Sequence, residues 1–145
     1  GIYRRAPGQP LNVVVSGDQA LNGVIANLAQ PQRGSQILAN PYGSNSGVFP
    51  DWLNRSAFAI QELGTLGNFR RNSVVGPPQW SFDLALSRAF RFRESQRLEF
   101  RAEAFNVTNS FRPNNPNVSL TSAQFGQLRT ALDPRLLQFA LKYVF

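Results

Sequence analysis

An all-β fold of antiparallel strands is predicted by three features of this sequence. Apolar and polar residues alternate with a period of two along several segments, which is the pattern of strands with one buried face. Those segments lack the apolar spacings of three and four that mark an amphipathic helix. Ten prolines and eleven glycines in 145 residues favour turns and loops between the strands.

The first strand is expected over residues 2–15, with an interruption at the Pro-Gly-Gln-Pro stretch of residues 7–10. Residues 19–29 carry apolar side chains at helical spacing and fit a short helix or turn. The region from residue 16 to residue 79 is rich in Gly, Pro, Asn and Ser. We therefore predict that it forms one long loop.

Residues 80–92, WSFDLALSRAFRF, form the second and most regular strand. One face carries apolar side chains at six of its seven positions: Trp80, Phe82, Leu84, Leu86, Phe90 and Phe92. The exception on that face is Arg88, and the opposite face carries Asp83, Ser87 and Arg91. A soluble protein has strands of about five or six residues on average, so this segment is unusually long.

The third strand is expected over residues 97–108, after a polar turn at residues 93–96 of hairpin length. Leu98 and Phe100 share one face of this strand. The other face carries charged residues, namely Glu99, Arg101 and Glu103.

The fourth strand is expected over residues 135–145, where every second residue is apolar or aromatic: Leu137, Phe139, Leu141, Tyr143 and Phe145. Lys142 falls on the opposite face. Residues 109–134, with prolines and asparagines at their centre, are predicted to form a second long loop.

Strand length and unequal connections favour a transmembrane β-barrel. A membrane-spanning strand needs about 9–11 residues at a tilt near 45°, and the second, third and fourth segments have that length. The short turn then lies on one side of the membrane and both long loops lie on the other. We predict a partial barrel of about four antiparallel strands with two long extracellular loops.

The apolar face of these strands is expected to contact lipid, and the other face is expected to line the lumen. The lipid-facing or interface set is Trp80, Phe82, Leu84, Leu86, Phe90, Phe92, Leu98 and Phe100. The charged lumen set is Asp83, Arg91, Glu99, Arg101, Glu103 and Lys142. Arg88 lies on the lipid side, where a charge costs about 2–4 kcal/mol at the midplane and about 0–1 kcal/mol near the interface. We expect Arg88 to extend towards the headgroups.

Four strands cannot close a membrane barrel, because bacterial barrels have at least about eight. An open edge in lipid leaves backbone groups unpaired at several kcal/mol each. We therefore expect residues 1–145 to be either a C-terminal fragment of a longer protein or one chain of an oligomeric barrel, for example a trimer with twelve strands. The start at Gly1 favours the fragment. A soluble antiparallel sheet with one face on a core also explains the alternation.

Composition excludes several classes of chemistry. The chain has no Cys, no His and no Met, so disulfides, thiolate chemistry and the commonest metal ligands are ruled out. We expect no cofactor and no metal site. The net charge of +7 favours loose attraction to polyanions, but the arginines are scattered and form no basic helix, so no nucleic-acid partner is expected. No apolar run reaches eighteen residues, which excludes a transmembrane helix.

Several segments together resemble the C-terminal strands of TonB-dependent outer-membrane receptors, and the Oar-like group of acidobacteria in particular. Residues 80–92 and 97–109 (RLEFRAEAFNVTN) carry the strongest likeness. The Pro/Asn-rich loop, FGQL at residues 125–128, DPRLLQFALK at residues 133–142 and the opening GIYRRAPGQP add to it.

The resemblance implies a receptor barrel of about 22 strands with a plug. Such a receptor binds a scarce or large substrate and imports it with energy from TonB. This chain would supply wall and surface loops, while the plug and the TonB-contacting segment would lie upstream. The resemblance also implies that the barrel-assembly machinery reads the last strand, through Leu137, Phe139, Leu141, Tyr143 and Phe145. The expected partners are thus outer-membrane lipid, the assembly machinery, TonB and an unknown substrate, at the bacterial outer membrane.

Two other functions stay open at this point. A soluble β-sheet module could bind carbohydrate through Tyr42, Trp52 and Trp80. An enzyme could use Glu99 and Glu103, which share a strand face, as a carboxylate pair. Arg101 lies between them and favours ion pairing instead, so we expect no enzymatic activity.

Overall fold

The computed structural model describes residues 1–23, 32–44, 50–94 and 96–145. They divide into two compact units. The sheet unit comprises Gly1–Pro7, Pro78–Arg112 and Leu132–Phe145, and the loop unit comprises Gly8–Pro77 and Pro113–Ala131. No helix among the described residues has the length and apolar character needed to cross a membrane.

The described residues form ten strands and one turn of 3-10 helix, Arg55–Ala57. The strands are β1 (Ile2–Ala6), β2 (Pro10–Leu11), β3 (Val14–Val15), β4 (Gln32–Arg33), β5 (Ser35–Gln36), β6 (Phe58–Ala59), β7 (Val74–Val75), β8 (Gln79–Arg91), β9 (Arg97–Phe105) and β10 (Leu136–Val144). The fold is therefore all-β, as the alternation predicts.

The sheet unit is built on a four-stranded antiparallel sheet with the order β1-β8-β9-β10. A tight turn joins β8 to β9, and within it the Phe92 N–H donates to the Gln96 carbonyl at 3.1 Å. The register pairs Ala6 with Gln79 and Phe105 with Leu136. The end of β1, the start of β8, the end of β9 and the start of β10 lead into the long connections. These four strand ends therefore lie at one end of the sheet, which we call the loop end. The β8–β9 turn lies at the opposite end, the turn end.

The first strand is shorter than the predicted 2–15. It ends at Ala6, and the β2 and β3 segments pair with β7 and β4 in the loop unit. Pro7 has no N–H to donate, and Pro10, which also has none, opens β2 rather than extending β1. Two prolines within four residues thus stop the ladder with β8.

The third strand ends at Phe105 and not at residue 108, because Asn106 adopts a left-handed conformation with φ of 49°. Asparagine tolerates this conformation, which would interrupt any strand. The Asn106 N–H donates to Asp83 Oδ1 at 2.9 Å, and its side-chain oxygen accepts the Ser110 N–H at 3.0 Å. Asn109, with φ of 50°, accepts the Arg135 N–H through its side chain at 3.0 Å. The two asparagines thus turn the chain out of β9 and position the start of β10.

The two segments predicted as long loops, together with the end of the predicted first strand, instead fold around a hydrophobic core. Its buried residues are Val13, Val15, Leu53, Ala57, Phe58, Phe69, Val74, Leu120 and Phe125. The Phe58 ring packs edge-on against Phe69 at 5.7 Å and against Phe125 at 5.5 Å between centroids. Leu120 and Phe125 come from the second segment, so neither segment builds this core alone. Period-two alternation could not indicate the core, because these strands are only two residues long.

Gly126 sits at a close approach between the two segments of the loop unit. Its carbonyl accepts the N–H groups of Trp52 and Leu53 at 2.8 Å and 3.2 Å. Its φ is +80°, and a Cβ atom at this position would lie 2.3 Å from the Leu53 carbonyl oxygen. Only glycine fits both the backbone conformation and the contact.

Asp18 organises a turn in the loop unit and directly precedes the helix or turn predicted at residues 19–29. Its carboxylate accepts the N–H groups of Asn22 and Gly23 at 3.1 Å and 2.8 Å, and the Gln32 amide at 2.9 Å. Desolvation raises the pKa of Asp18, but these hydrogen bonds outweigh it and hold the pKa below its usual value. Residues 19–23 form turns and bends and no helix, while 24–29 lie outside the described residues.

The Gly126→Ala substitution is expected to destabilise the loop unit far more than Gly64→Ala. Both glycines have φ of +80°, but the nearest atom to a Cβ at Gly64 is 3.8 Å away. Gly64→Ala should therefore cost about 1–2 kcal/mol of backbone strain, while Gly126→Ala adds a backbone clash and should exceed about 3 kcal/mol. Denaturant unfolding followed by Trp52 fluorescence in a Trp80→Phe background measures both. Equal losses of unfolding free energy in the two variants would show that the contact between residue 126 and the Leu53 carbonyl does not affect stability.

Acid should unfold the loop unit in a way that depends on Asp18. Because its pKa is lowered in the folded state, its contribution to stability is complete above the unfolded pKa and is lost as the pH falls through the folded pKa. In the same Trp80→Phe background, the free energy of unfolding should fall more steeply with acid in the parent protein than in Asp18→Asn. Parallel pH curves from about pH 2 to pH 7 would contradict this role.

Candidate functional site

The functional feature of the sheet unit is the separation of its side chains onto two faces. The β1–β8, β8–β9 and β9–β10 registers bring most of the large apolar side chains of β8, β9 and β10 to one side, together with Tyr3 of β1. We call this the apolar face. It carries Tyr3, Arg5, Trp80, Phe82, Leu84, Leu86, Arg88, Phe90, Leu98, Phe100, Ala102, Ala104, Leu137, Phe139, Leu141 and Tyr143. Two further members of the predicted sets, Phe92 and Phe145, lie one residue beyond the ends of β8 and β10.

The apolar face is exposed rather than packed on a core. The exposed fractions are 63% for Leu86, 72% for Phe139 and 68% for Leu141. Among the described residues of the sheet unit, only Ser81 and Asn106 are buried, and both are polar. A soluble sheet of this kind would bury one face. A large exposed apolar surface instead marks contact with lipid or with another protein.

Aromatic side chains lie towards both ends of the apolar face. Tyr3 and Trp80 pack with their ring centroids 6.3 Å apart at the loop end, and Phe90 and Tyr143 lie towards the turn end. Ten residues separate Trp80 from Phe90, which corresponds to about 33 Å along the strand. At a tilt of 45° this spans about 23 Å, close to the height of the apolar band of an outer-membrane barrel, about 25 Å.

The opposite face, here called the polar face, carries charges that pair with each other. Arg4 and Asp83 form an ion pair at 2.6 Å, and Arg97 pairs with Glu99 at 2.9 Å. Arg101 pairs with Glu103. The remaining charged members of the predicted lumen set are also on this face, because Arg91 lies directly opposite Arg97 and Lys142 directly opposite Glu99.

Glu99 and Glu103 do not form a carboxylate pair. They are four residues apart on one strand, so their Cα atoms are separated by about 13 Å. Carboxylate pairs in glycosidases are about 5–9.5 Å apart. Each glutamate is instead bound to an arginine on its own strand. No group of three or more acidic residues in the described part of the chain is arranged to hold a metal ion.

Tyr42 and Trp52, two of the three aromatic residues proposed for carbohydrate stacking, are engaged in contacts within the loop unit. Trp52 donates its indole N–H to the Val75 carbonyl at 2.8 Å, and the Tyr42 hydroxyl accepts the Val75 N–H at 3.2 Å. The two rings meet edge-on at 6.2 Å. Trp80 belongs to the sheet unit, where it contacts Tyr3. Tyr42 and Trp52 thus serve the packing of the loop unit.

The loop unit contains a polar cavity of about 480 Å³ that sequence inspection does not reveal. Its lining includes Tyr42, Asp51, Asn54, Arg55 and Gln127. Arg55 is held in place, since its guanidinium donates to the carbonyls of Leu120 and Ser122 at 3.0 Å and 3.2 Å. The lining residues come from both long segments, which explains why no local sequence pattern predicts the cavity.

A strongly amphipathic antiparallel sheet with an exposed apolar face defines a wall segment of a membrane β-barrel. The family described as "Outer membrane beta barrel domain" matches residues 1–138. The chain therefore belongs to this family of outer-membrane barrel domains. No curated protein and no solved structure matches the chain.

Membership of this family locates the chain in the bacterial outer membrane. The sheet is not closed, so the described strands form part of a barrel. The family match ends at residue 138, within β10. The remainder of β10 joins the wall through its continuous pairing with β9, which extends to Val144 and Arg97.

Arginine substitutions at adjacent positions of β8 should have opposite consequences in a bilayer. Leu86→Arg places a charge in the middle of the apolar face and should reduce the free energy of unfolding by about 2–4 kcal/mol. Ala85→Arg lies on the polar face opposite Glu103 and should be neutral or slightly stabilising. Unfolding of the membrane protein in lipid vesicles by urea measures both. Equal destabilisation by the two arginines would exclude the assignment of the faces.

Proposed function

We propose that the chain forms wall strands and surface loops of a TonB-dependent receptor of the Oar-like group. In this role the apolar face contacts outer-membrane lipid and the polar face lines the barrel lumen. The receptor imports a scarce or large substrate. Segments of the protein other than these 145 residues supply the plug and the contact with TonB.

The segments that carry the family resemblance have separate structural roles, which supports the proposal. The asparagines of the NVTN stretch form the turn after β9. The FGQL stretch contributes Phe125 to the core and Gly126 to the close approach in the loop unit. In the DPR stretch, the Asp133 carbonyl accepts the Arg112 guanidinium at 2.8 Å, next to the start of β10. Each motif thus has a structural role in a turn, in the core or beside a strand.

The observation that carries the proposal is that both long connections leave the sheet at the same end and fold into one unit with its own core. A passive pore needs only connections that join its strands. A receptor has to present an ordered surface to its substrate, and a packed core supplies that order. The polar cavity among these segments offers a place for polar contacts with the substrate.

The last strand has a second role in the proposal. Leu137, Phe139, Leu141, Tyr143 and Phe145 form the signal that the barrel-assembly machinery recognises before insertion. Four of these side chains share the apolar face in the β9–β10 register, and Tyr143 stacks on Phe145 at 6.0 Å. The same residues thus serve recognition first and lipid contact afterwards.

The other candidate functions receive less support. The ion pairs of Glu99 and Glu103 favour a structural role in the wall over acid–base catalysis. The packing of Tyr42 and Trp52 leaves no stacking platform for a soluble carbohydrate-binding module. Among the described residues of the sheet unit no apolar side chain is buried, which also weighs against a soluble domain.

Binding to TonB tests the proposal directly. The whole outer-membrane protein that contains this chain is purified in detergent and titrated with the periplasmic domain of TonB from the same bacterium. We expect saturable binding with a Kd of about 1–100 µM, in the range of transient complexes. An eight-stranded outer-membrane barrel without a plug provides the negative control. No binding above that control would exclude a TonB-dependent receptor, while leaving the outer-membrane barrel in place.

A further inference from the structure

The apolar face carries two charged side chains among the described strand residues, and both are arginines. Arg5 lies opposite Trp80 at the loop end, and Arg88 lies opposite Phe100 towards the turn end. The acidic residues in the described strands, Asp83, Glu99 and Glu103, are all on the polar face. The positions between the two arginines on β8 are apolar. Among these residues, positive charge on the apolar face therefore occurs only towards its loop end and its turn end. Since no acidic strand residue shares this face, an anion that pairs with either arginine has to come from outside the sheet.

Arg88 occupies an apolar setting that orients its side chain. Its guanidinium lies over the ring of Phe90, with 5.2 Å between the guanidinium carbon and the ring centroid. Phe100 faces it across the β8–β9 pair, and Leu86 precedes it on the same face. A cation–π contact of this kind contributes about 0.5–2 kcal/mol. A contact with a ring face does not use up the hydrogen-bonding capacity of the guanidinium, which has five N–H donors.

The position of Arg88 along β8 fits the depth of a headgroup. It is three residues before Arg91, the last residue of the strand. Three residues correspond to about 10 Å along the strand, or about 7 Å of depth at a tilt of 45°. An arginine side chain can extend over this depth, with its methylenes in the acyl region and its guanidinium at the interface.

We propose that Arg88 binds the phosphate of a glycerophospholipid in the leaflet at the turn end of the sheet. The inference deepens the proposed function, on which it rests through the contact of the apolar face with lipid. The guanidinium donates two parallel hydrogen bonds to the phosphate oxygens, a geometry that phosphate accepts readily. Phe90 holds the guanidinium from one side, and Phe100 provides apolar surface for an acyl chain. The site is thus selective for a phosphate that is attached to a lipid.

The leaflet follows from the arrangement of the connections. The two long segments emerge at the loop end, which the proposed function puts at the cell surface. The turn end then faces the periplasm, where the leaflet of the outer membrane consists of glycerophospholipids. Arg91, Arg93 and Arg97 are also near the turn end and border a cavity of about 350 Å³. Arg91 and Arg97 belong to the polar face and provide matched positions that should not retain lipid.

Retention of phospholipid by the membrane protein tests this site. The whole protein is purified from outer membranes, reconstituted with phosphatidylethanolamine and phosphatidylglycerol, and extracted into mild detergent, and the bound lipids are counted by native mass spectrometry. We expect Arg88→Leu to reduce the fraction of protein with retained phospholipid about tenfold, corresponding to about 1.4 kcal/mol. Arg88→Lys should give an intermediate loss, because it keeps the charge and loses the bidentate geometry. Arg91→Leu should retain lipid like the parent protein.

The control measurements separate the possible failures. Unchanged retention in Arg88→Leu, an equal loss in Arg91→Leu, or full displacement of the lipid by millimolar inorganic phosphate would each overturn the inference. Folding of Arg88→Leu is checked by heat-modifiable migration in gel electrophoresis. If this variant does not fold, lipid retention is measured in Arg88→Lys instead. Phospholipid retention by Arg88→Lys equal to that of the parent protein would then reject the site. A protein that binds TonB but loses no lipid on substitution rejects only the Arg88 site. A protein that is not embedded in the membrane rejects the proposed function as well.

Discussion

The requirement that every backbone polar group in lipid be hydrogen bonded within the protein determines what this sheet can be. Ladders pair β9 with β10 along its whole length, but β8 pairs with β9 only from Leu84 to Arg91. On its other side, β8 pairs with β1 only over its first five residues. The outer side of β10 is also an edge of the sheet. Both edges need further strands before the apolar face can lie in a bilayer. The sheet is therefore intelligible as part of a larger closed wall, in which each edge pairs with a neighbour.

A second consequence concerns where the chain places its hydrophobic side chains. In the sheet unit they point outward, and polar and charged groups occupy the opposite face. The loop unit reverses this arrangement, because Phe58, Phe69 and Phe125 form a buried aromatic cluster. Phenylalanine is thus exposed in the sheet unit and buried in the loop unit. Lipid accepts exposed phenylalanines of the strands, while water on the surface side requires that those of the loop unit be buried.

The sequence predicts the sheet better than the loop unit, for physical reasons. A side chain on a long strand is assigned to a face by its parity alone, so alternation over residues 80–92 predicts which side chains of β8 share each face. The core of the loop unit depends on contacts between residues that are far apart in the sequence, such as Leu53 and Gly126. Such contacts produce no periodic pattern in the sequence. The left-handed turn at Asn106 lies inside the strand predicted over residues 97–108. The Asn-Val-Thr-Asn stretch carries a signal for this turn, since asparagine is among the non-glycine residues that adopt positive φ most readily.

The most direct measurement of the central claim is the accessibility of spin labels along β10 in lipid vesicles. Single nitroxides are introduced at positions 137 to 142 of the whole protein, and their collision rates with oxygen, which partitions into lipid, and with a water-soluble nickel complex are compared. Contact of the apolar face with lipid predicts a period of two, with oxygen favoured at 137, 139 and 141 and nickel at 138, 140 and 142. Uniform access of the nickel complex to all six positions would contradict the membrane wall.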